Sequence, residues 1–545
     1  MSDPRNPLDP SDPTGQVFVE PDDAPVTEPE EPTTGRTTLR TAGIISGRVV
    51  LGCLTVAAVL AIVAAAIFLP FPSARSSAVS SLVTPVPTTR QLVCPGGLLR
   101  LASASGKGAT TISALGQPRV TSAAQPGDAI ESPFAVTDAG TANSAAAPLL
   151  LSTPVVVPGV AAPLLAGSQS EVIKTSEFFG LAASECTAAS GSAWLAGGAT
   201  SVGRTTLLLL SNPTGVPAIV SVQVYGESGQ VTAPGMDGIS VGAGAQRVLS
   251  LAGFAPNLTS PVVHVQSTGG QVVASLEQTT VRGVTPGGAD FVAGSAAPQR
   301  STVLPGVVVT GSEALGTLQG QSGFDDLDTT LRLFLPSGKA TSARITILAE
   351  NGTVTGKPLK ADLQPGSVTD LPLDQLSDGS YTVIVTAKAP VLASIRVSAA
   401  TGSGIPASGS TDGSTDGADG SEPPVSSGTA TSSSSATDFA WITPASLLTT
   451  GVLVPVAPAI QAAVHLENPT GTAQTVTLTP TSGPTITRTV PAHRAVSIPV
   501  LAGRAYRMSG FTQLYASVSG VGPAEVTSYG ISPLARGEGP IRVYG

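Results

Sequence analysis

Side chains that carry chemistry are scarce in this chain. Among 545 residues there are three histidines, three cysteines and two tryptophans, and aromatics make up only 4%. His264 lies in the strand-like Val262-Val263-His264-Val265, His465 in an apolar segment near the C-terminus, and His493 in Pro491-Ala492-His493-Arg494. No two of them share metal-ligand spacing, and none stands beside a nucleophile motif, so structural roles are expected for all three. So few aromatics argue against a broad aromatic sugar-binding platform. Charged residues are also few, at 12%, and the net charge is −9. No basic stripe runs along the chain, which argues against nucleic acid as a partner. Composition and spacing therefore assign no catalytic, cofactor or metal residue.

Long apolar runs are absent too, with one exception. Val49 to Leu69 is uncharged, and about 21 residues at 1.5 Å rise span a hydrocarbon core of roughly 30 Å. A single transmembrane helix is expected over 46–70. Arg36, Arg40 and Arg48 precede the run and only Arg75 closely follows it. That bias predicts a cytoplasmic N-terminus and an extracytoplasmic C-terminal region, a signal-anchor at the bacterial plasma membrane. A cleaved signal peptide is the rival reading, but its apolar core is normally about 7–15 residues long and close to the N-terminus. Val50-Leu51-Gly52-Cys53 resembles a lipoprotein cleavage box placed at the wrong end of the run. Residues 1–45 form an acidic, Pro-rich tail with too little apolar surface to offset the entropy of ordering, and are expected to be disordered. Residues 71–90 read as a Ser/Pro/Thr stalk.

Beyond the membrane run only Cys94 and Cys186 remain. In an oxidising compartment they are expected to form a structural disulfide, the alternative being two buried free thiols. The bridge would close a loop of about 90 residues and contribute up to about 4 kcal/mol. Asp412-Gly413-Ser414-Thr415-Asp416-Gly417 copies the start of a calcium loop, but Pro423 stands where a bidentate Glu is needed. Asp325-Asp326-Leu327-Asp328 suits a calcium site at a domain junction; an exposed acidic loop is the preferred reading.

What is abundant is strand and turn. Val220, Val222 and Val224 alternate with Ser221, Gln223 and Tyr225 between Asn212-Pro213-Thr214-Gly215 and Gly226-Glu227-Ser228-Gly229. Alternation predicts one buried and one wet face, as in an antiparallel sheet. The unit recurs at Leu331–Leu348 and again at Ala463–Thr479, where Asn468-Pro469-Thr470-Gly471 repeats the turn. Pro fixes φ, Asn caps its own backbone and Gly supplies positive φ, so turn chemistry accounts for the motif. A second marker follows each copy: Val273-Ala274-Ser275, Leu392-Ala393-Ser394 and Tyr515-Ala516-Ser517, with Leu165-Ala166-Gly167 as a weaker relative. Their spacing of roughly 110–120 residues is that of a β-sandwich domain. The fold class expected is mainly β: tandem, immunoglobulin-like β-sandwich units after the transmembrane helix. The boundaries are a divergent first unit at 91–198, units at 199–298 and 299–401, a low-complexity linker at 402–437 and a last unit at 438–545. Trp194 and Trp441 read as core more readily than as ligand contacts.

At Cys94-Pro95-Gly96-Gly97, at Cys186 through Trp194 to Gly198 and at Asn212-Pro213-Thr214-Gly215, the chain resembles a family of uncharacterised actinobacterial envelope proteins. These carry one N-terminal membrane helix and a β-rich exported region of unknown function. The resemblance covers roughly Cys94 to the C-terminus, implies location and lineage, and transfers no catalytic residue. The expected function is a non-catalytic structural or binding component of the cell envelope. It would be held in the membrane by residues 49–69, with envelope proteins or polysaccharide as partners. The alternatives are an accessory subunit of an envelope-polysaccharide enzyme such as a glycosyltransferase, and a hydrolase with a dispersed site.

Overall fold

The alternating segments do form strands, and the strands assemble into paired sheets. The computed structural model describes residues 89–533 apart from 102–111, 137–145, 155–162, 283–284, 296, 351–355, 375 and 402–435, together with 52, 54–60, 80–83 and 541–544. The expectations for the tail 1–45, most of the run 49–69, most of the stalk 71–90 and the insert from 402 to 435 fall outside these residues. Gly52 and residues 54–60 are helical, and Leu54, Val56, Val59 and Leu60 are exposed. Among the described residues no helix is long and apolar enough to cross a membrane. The chain divides into Met1–Ser81 with Arg542–Gly545, and the much larger Leu82–Ile541, which holds the sandwiches.

In the second unit, Ser192–Ala196, Val262–Gly269 and Ala218–Gly226 lie side by side, with Gly229–Val231 and Ile239–Val241 on the far edge. The facing sheet orders Thr285–Ala293, Val273–Arg282, Arg204–Asn212 and Ala245–Ser250. Val220, Val222, Val224, Val263 and Val265 of one sheet meet Leu208, Leu210 and Leu276 of the other in a shared core. The third unit is organised by the 22-residue strand Gly379–Ala400. Its first half pairs with Gln299–Val309 and Thr341–Ala349, its second with Thr330–Phe334. One strand thus contributes to both layers around a single core. The last unit sets Val452–Val456, Arg504–Ser509, Gln474–Pro480 and Ile486–Val490 against Ala495–Val500, Gln461–Glu467, Tyr515–Gly522 and Glu525–Gly530.

The repeat visible in the sequence is a repeat of register. Ala274 lies opposite Leu210, Ala393 opposite Leu333 and Ala516 opposite Leu466. In the second and last units the Asn of the turn follows that leucine by two positions. Asn212 Nδ2 donates to Val216 O (2.8 Å) and Val241 O (3.1 Å), while its Oδ1 accepts from Thr214 N (2.9 Å). Asn468 does the same with Thr472 O, Val490 O and Thr470 N. Both asparagines are fully buried, so their amides complete backbone groups that water cannot reach.

Alternation holds where it is read: Val220, Val222 and Val224 are buried, and Ser221, Gln223 and Tyr225 are half-buried. The marker strands are different. Nearly every residue of Val273–Arg282 is buried, including Ser275, Glu277, Gln278, Thr279 and Thr280. Ser394 and Ser517 are fully buried as well. The reason is lateral packing: the polar face of these strands is covered by a neighbouring unit and hydrogen-bonds to it. Ser517 Oγ donates to Pro305 O (2.8 Å), Ser170 Oγ to Pro458 O (2.6 Å) and Gln246 Nε2 to Pro95 O (2.9 Å).

A second difference concerns the boundary at 437–438. Thr437–Ile442 does not open the last sandwich. It pairs antiparallel with Gly379–Ala400, Ala400 opposite Thr437 and Ile395 opposite Ile442. The insert 402–435 therefore joins the two arms of one hairpin in the third unit.

The first unit is the smallest. Gln91–Cys94, Leu149–Ser152 and Ile130–Pro133 form one sheet; Phe179–Glu185, Leu164–Lys174 and Arg119–Gln125 form the other. Cys94 and Cys186 are bonded to each other, both buried, amid Leu92, Leu151 and Leu165. Gly167 stands where the other units have Ser275, Ser394 and Ser517. A Cβ there would collide with Leu151 and come within 3.1 Å of Cys186 Sγ. The divergence of the first marker thus follows from the bridge beside it. Replacing both cysteines by serine is expected to lower the unfolding free energy by about 4.6 kcal/mol, the value for a loop of this length. Urea unfolding of the oxidised protein against the double variant measures it, and equal midpoints would deny the bridge a stabilising role.

Candidate functional site

Three groups of polar side chains come together in the fold, and each was scattered in the sequence. The first surrounds His465. Its Nδ1 lies 2.7 Å from Glu350 Oε2, and its Nε2 lies 2.7 Å from Ser519 Oγ. Thr382 Oγ1 donates to the other carboxylate oxygen of Glu350. A serine, a histidine and a carboxylate in that order have the connectivity of a hydrolytic triad. Access decides against it. His465 is 1% exposed, Ser519 2% and Glu350 8%, and the three sit between the third and last units, where Gly306 closes on the imidazole with a Cβ position 3.0 Å from His465 Cδ2. No acyl group could reach Ser519 without parting the units. His264 does lie 2.9 Å from the hydroxyl of an exposed serine, Ser192, but its other nitrogen faces the amide of Gln223 and no carboxylate. Its ring stacks on Trp194 with centroids 3.8 Å apart. His493 occupies an exposed turn with φ 53°.

The second group is a set of buried carboxylates that bind backbone amides of another segment. Glu171 accepts from Leu98 N (2.8 Å), Glu277 from Leu99 N (2.6 Å), Asp290 from Trp441 N (2.7 Å) and Glu185 from Ser532 N (3.1 Å). Asp438 accepts from both Leu181 N (2.9 Å) and Val526 N (3.1 Å), joining the first unit to the last. Burial pushes Glu185 up to about 8 and Glu171 up to about 7. It pushes Glu277 well above the usual carboxylate range, and the charge of Glu171 adds to the effect. Asp290 is raised by burial and then by Asp438, and Asp438 by burial and then by Glu525. Raised carboxylates often mark catalytic sites. Here each is engaged in holding one strand system to another.

The third group is open to solvent. Asp326 receives Arg204, Arg282 and Arg396. Burial would raise this carboxyl, but the three guanidiniums hold it down to about 2. Arg396 is lowered by burial to about 10 in spite of Asp326. Beside them Arg332 makes a bidentate pair with Asp370, both contacts 3.0 Å. Its remaining donors go to Gly198 O, Pro261 O and Thr259 O of the second unit. The guanidinium of Arg332 also lies 4.8 Å from the ring centroid of Trp441, whose Nε1 donates to Gln278 (2.7 Å). Arg204, Asp326, Arg332, Asp370, Arg396 and Trp441 line a cleft of about 870 Å³ between the second and third units.

The sequence places Asp325-Asp326-Leu327-Asp328 at a domain junction, and the fold puts it at the mouth of this cleft. The group is not a calcium loop: Asp326 is spent on arginines and Asp328 Oδ1 accepts from Gln319. Among the described residues no three His, Cys, Asp or Glu side chains gather to hold a metal. Trp441 is core, as its surroundings suggest, and Trp194 packs with Phe334 and Tyr225. The strand arginines are the functional residues that sequence reasoning misses. Their signal is a lone Arg between buried aliphatics, as in Leu331-Arg332-Leu333 and Ile395-Arg396-Val397. A buried guanidinium needs a partner, and the partner is then elsewhere in the chain.

Comparison with known proteins adds a family but no activity. No curated protein matches the chain. A solved structure titled "Crystal structure of tetra-tandem repeat in extending region of large adhesion protein" aligns at 13% identity, over 76% of this chain and 91% of that one. Its TM-score of 0.11 is too low to bear on fold or function. A family model does match, over residues 138–500, which spans the second and third sandwiches, the cleft between them and most of the last unit. The chain belongs to the family of unknown function DUF5719.

Proposed function

We infer that this is a single-pass, membrane-anchored, extracytoplasmic protein of the actinobacterial envelope, built of immunoglobulin-like sandwiches and acting as a non-catalytic structural or binding component. The uncharged run Val49–Leu69 and the arginines before it support the anchor and its orientation. The observation that carries the non-catalytic reading is the use made of the polar core. Much of this polar core bonds from one unit to another: His465 to Glu350, Asp438 to Leu181 and Val526, Glu277 to Leu99 and Asp290 to Trp441. A protein whose reactive groups are consumed in rigid junctions is suited to holding surfaces in place at a distance from the membrane.

Complementation of a deletion strain tests both halves. A chain carrying Ser519→Ala is expected to restore the envelope phenotype fully, whereas a chain lacking residues 49–69 but still exported is not. Loss of complementation by a folded Ser519→Ala chain would return the hydrolase reading. Full rescue by the unanchored chain would remove the anchor from the function.

A further inference from the structure

We propose that the cleft between the second and third sandwiches binds a neutral, hydroxyl-rich saccharide. This goes beyond the envelope role above and stands whether or not the chain is anchored.

The cavity of about 870 Å³ falls in the range of small-ligand sites, roughly 300–1,000 Å³. Its floor is fixed before any ligand arrives. Arg332 already spends its donors on Asp370 and on three carbonyls of the neighbouring unit, and Asp326 is held by three arginines. A preorganised polar wall loses little freedom on binding.

The rim is different. Ser201, Asn257 and Asp325 line the cleft, and among the described residues their side chains have no hydrogen-bond partner. Two come from the second unit and one from the third, so a single ligand can touch both.

Charge selects the class. The lining arginines are all paired within the wall, while Glu227, Asp325, Asp328 and Asp370 lie around the same space. An anion would find no unspent cation and several carboxylates. A compact cation would find three guanidiniums among those carboxylates. A hydroxyl donates and accepts through one atom, so it can pair with carboxylate, amide and hydroxyl alike. Trp441 is 3% exposed beneath Arg332 and offers no stacking platform. Recognition is therefore by hydrogen bonds, and affinity is modest.

The test uses the full-length chain and saturation-transfer NMR with titration. The probes are linear neutral trisaccharides of glucose, mannose and galactose, a sulfated trisaccharide and trilysine. Asp325→Ala and Ser201→Trp alter the rim and leave the wall pairs intact; each is checked for an unchanged melting temperature. At least one neutral trisaccharide is expected to bind, and about tenfold more weakly to each variant, the loss of one or two hydrogen bonds. The proposal is overturned if no neutral trisaccharide binds, or if binding ignores both variants. It is equally overturned if the sulfated sugar or trilysine is the probe whose binding the variants weaken.

Discussion

Lowering the pH from 8 to about 5 is expected to stabilise the folded chain by several kcal/mol. Glu185 titrates at about 8 and Glu171 and Glu467 at about 7 in the fold, all raised by burial from an ordinary value of 4.5. A carboxyl whose folded pKa is raised favours folding when it is protonated. Its penalty is absent below pH 4.5, grows as pH climbs past the unfolded value, and is complete above the folded one. At about 1.4 kcal/mol per unit, Glu171 or Glu467 alone would cost the folded state about 3 kcal/mol at pH 8. Summed over all the raised groups, such penalties would rival the whole stability of a domain, about 5–15 kcal/mol. Relaxation around each carboxylate must therefore absorb part of them, which leaves an effect of several kcal/mol. Four groups oppose it. Burial acts to raise Glu227 and Asp378, but hydrogen bonds to their carboxylates lower both. His264, lowered by burial, resists protonation below about pH 6.5, but it is one imidazole against several carboxyls. Asp326, held at about 2, contributes stability above pH 3.8 that is lost as pH falls towards 2. The optimum should lie near pH 4–5. Urea midpoints at pH 5, 6.5 and 8 measure the trend, and Glu185→Gln should flatten it. A chain as stable at pH 8 as at pH 5 would show that these carboxyls are not buried as ionisable groups.

Those carboxylates also mark where sequence reading stops. Val220, Val222 and Val224 reveal a strand because alternation is local, and Ala274, Ala393 and Ala516 reveal a repeat because the same position recurs. Nothing local says that the opposite face of such a strand is covered as well. Ser275, Glu277 and Thr279 look like a wet face, and only the packing around them makes them core. The triad-like group is hidden for a related reason: Glu350 and Ser519 are 115 and 54 residues from His465. The cleft is half legible. The acidic cluster at 325–328 is conspicuous, whereas the arginines that neutralise Asp326 come from three separate strands.

Cutting the chain within 402–435 at an engineered protease site is expected to leave one particle. Two pieces should appear on a denaturing gel, yet elute together from a sizing column in native buffer. The composition of that insert suggests a spacer between independent domains, and the pairing of its ends says otherwise. Thr437–Ile442 is buried at every position and aligned with residues 395–400 through six partners. Phe439 and Trp441 enter the core of the second sandwich, Ala440 and Ile442 that of the third. Burying Phe, Trp and Ile side chains contributes about 1.5–3 kcal/mol each, and Asp438 and Trp441 add hydrogen bonds to three units. That is enough to keep the nicked strand in place. Trp441→Ala removes about 3–5 kcal/mol of it and should lower the urea concentration at which the nicked pieces separate. Because Ala400 and Thr437 are already paired, replacing 402–435 by a four-residue turn should fold and gain up to about 2 kcal/mol, since closing the shorter loop costs less entropy. Separation of the wild-type pieces in native buffer would mean that Thr437–Ile442 is not locked into the third sheet. The last sandwich would then be the free-standing domain that the low-complexity insert implies.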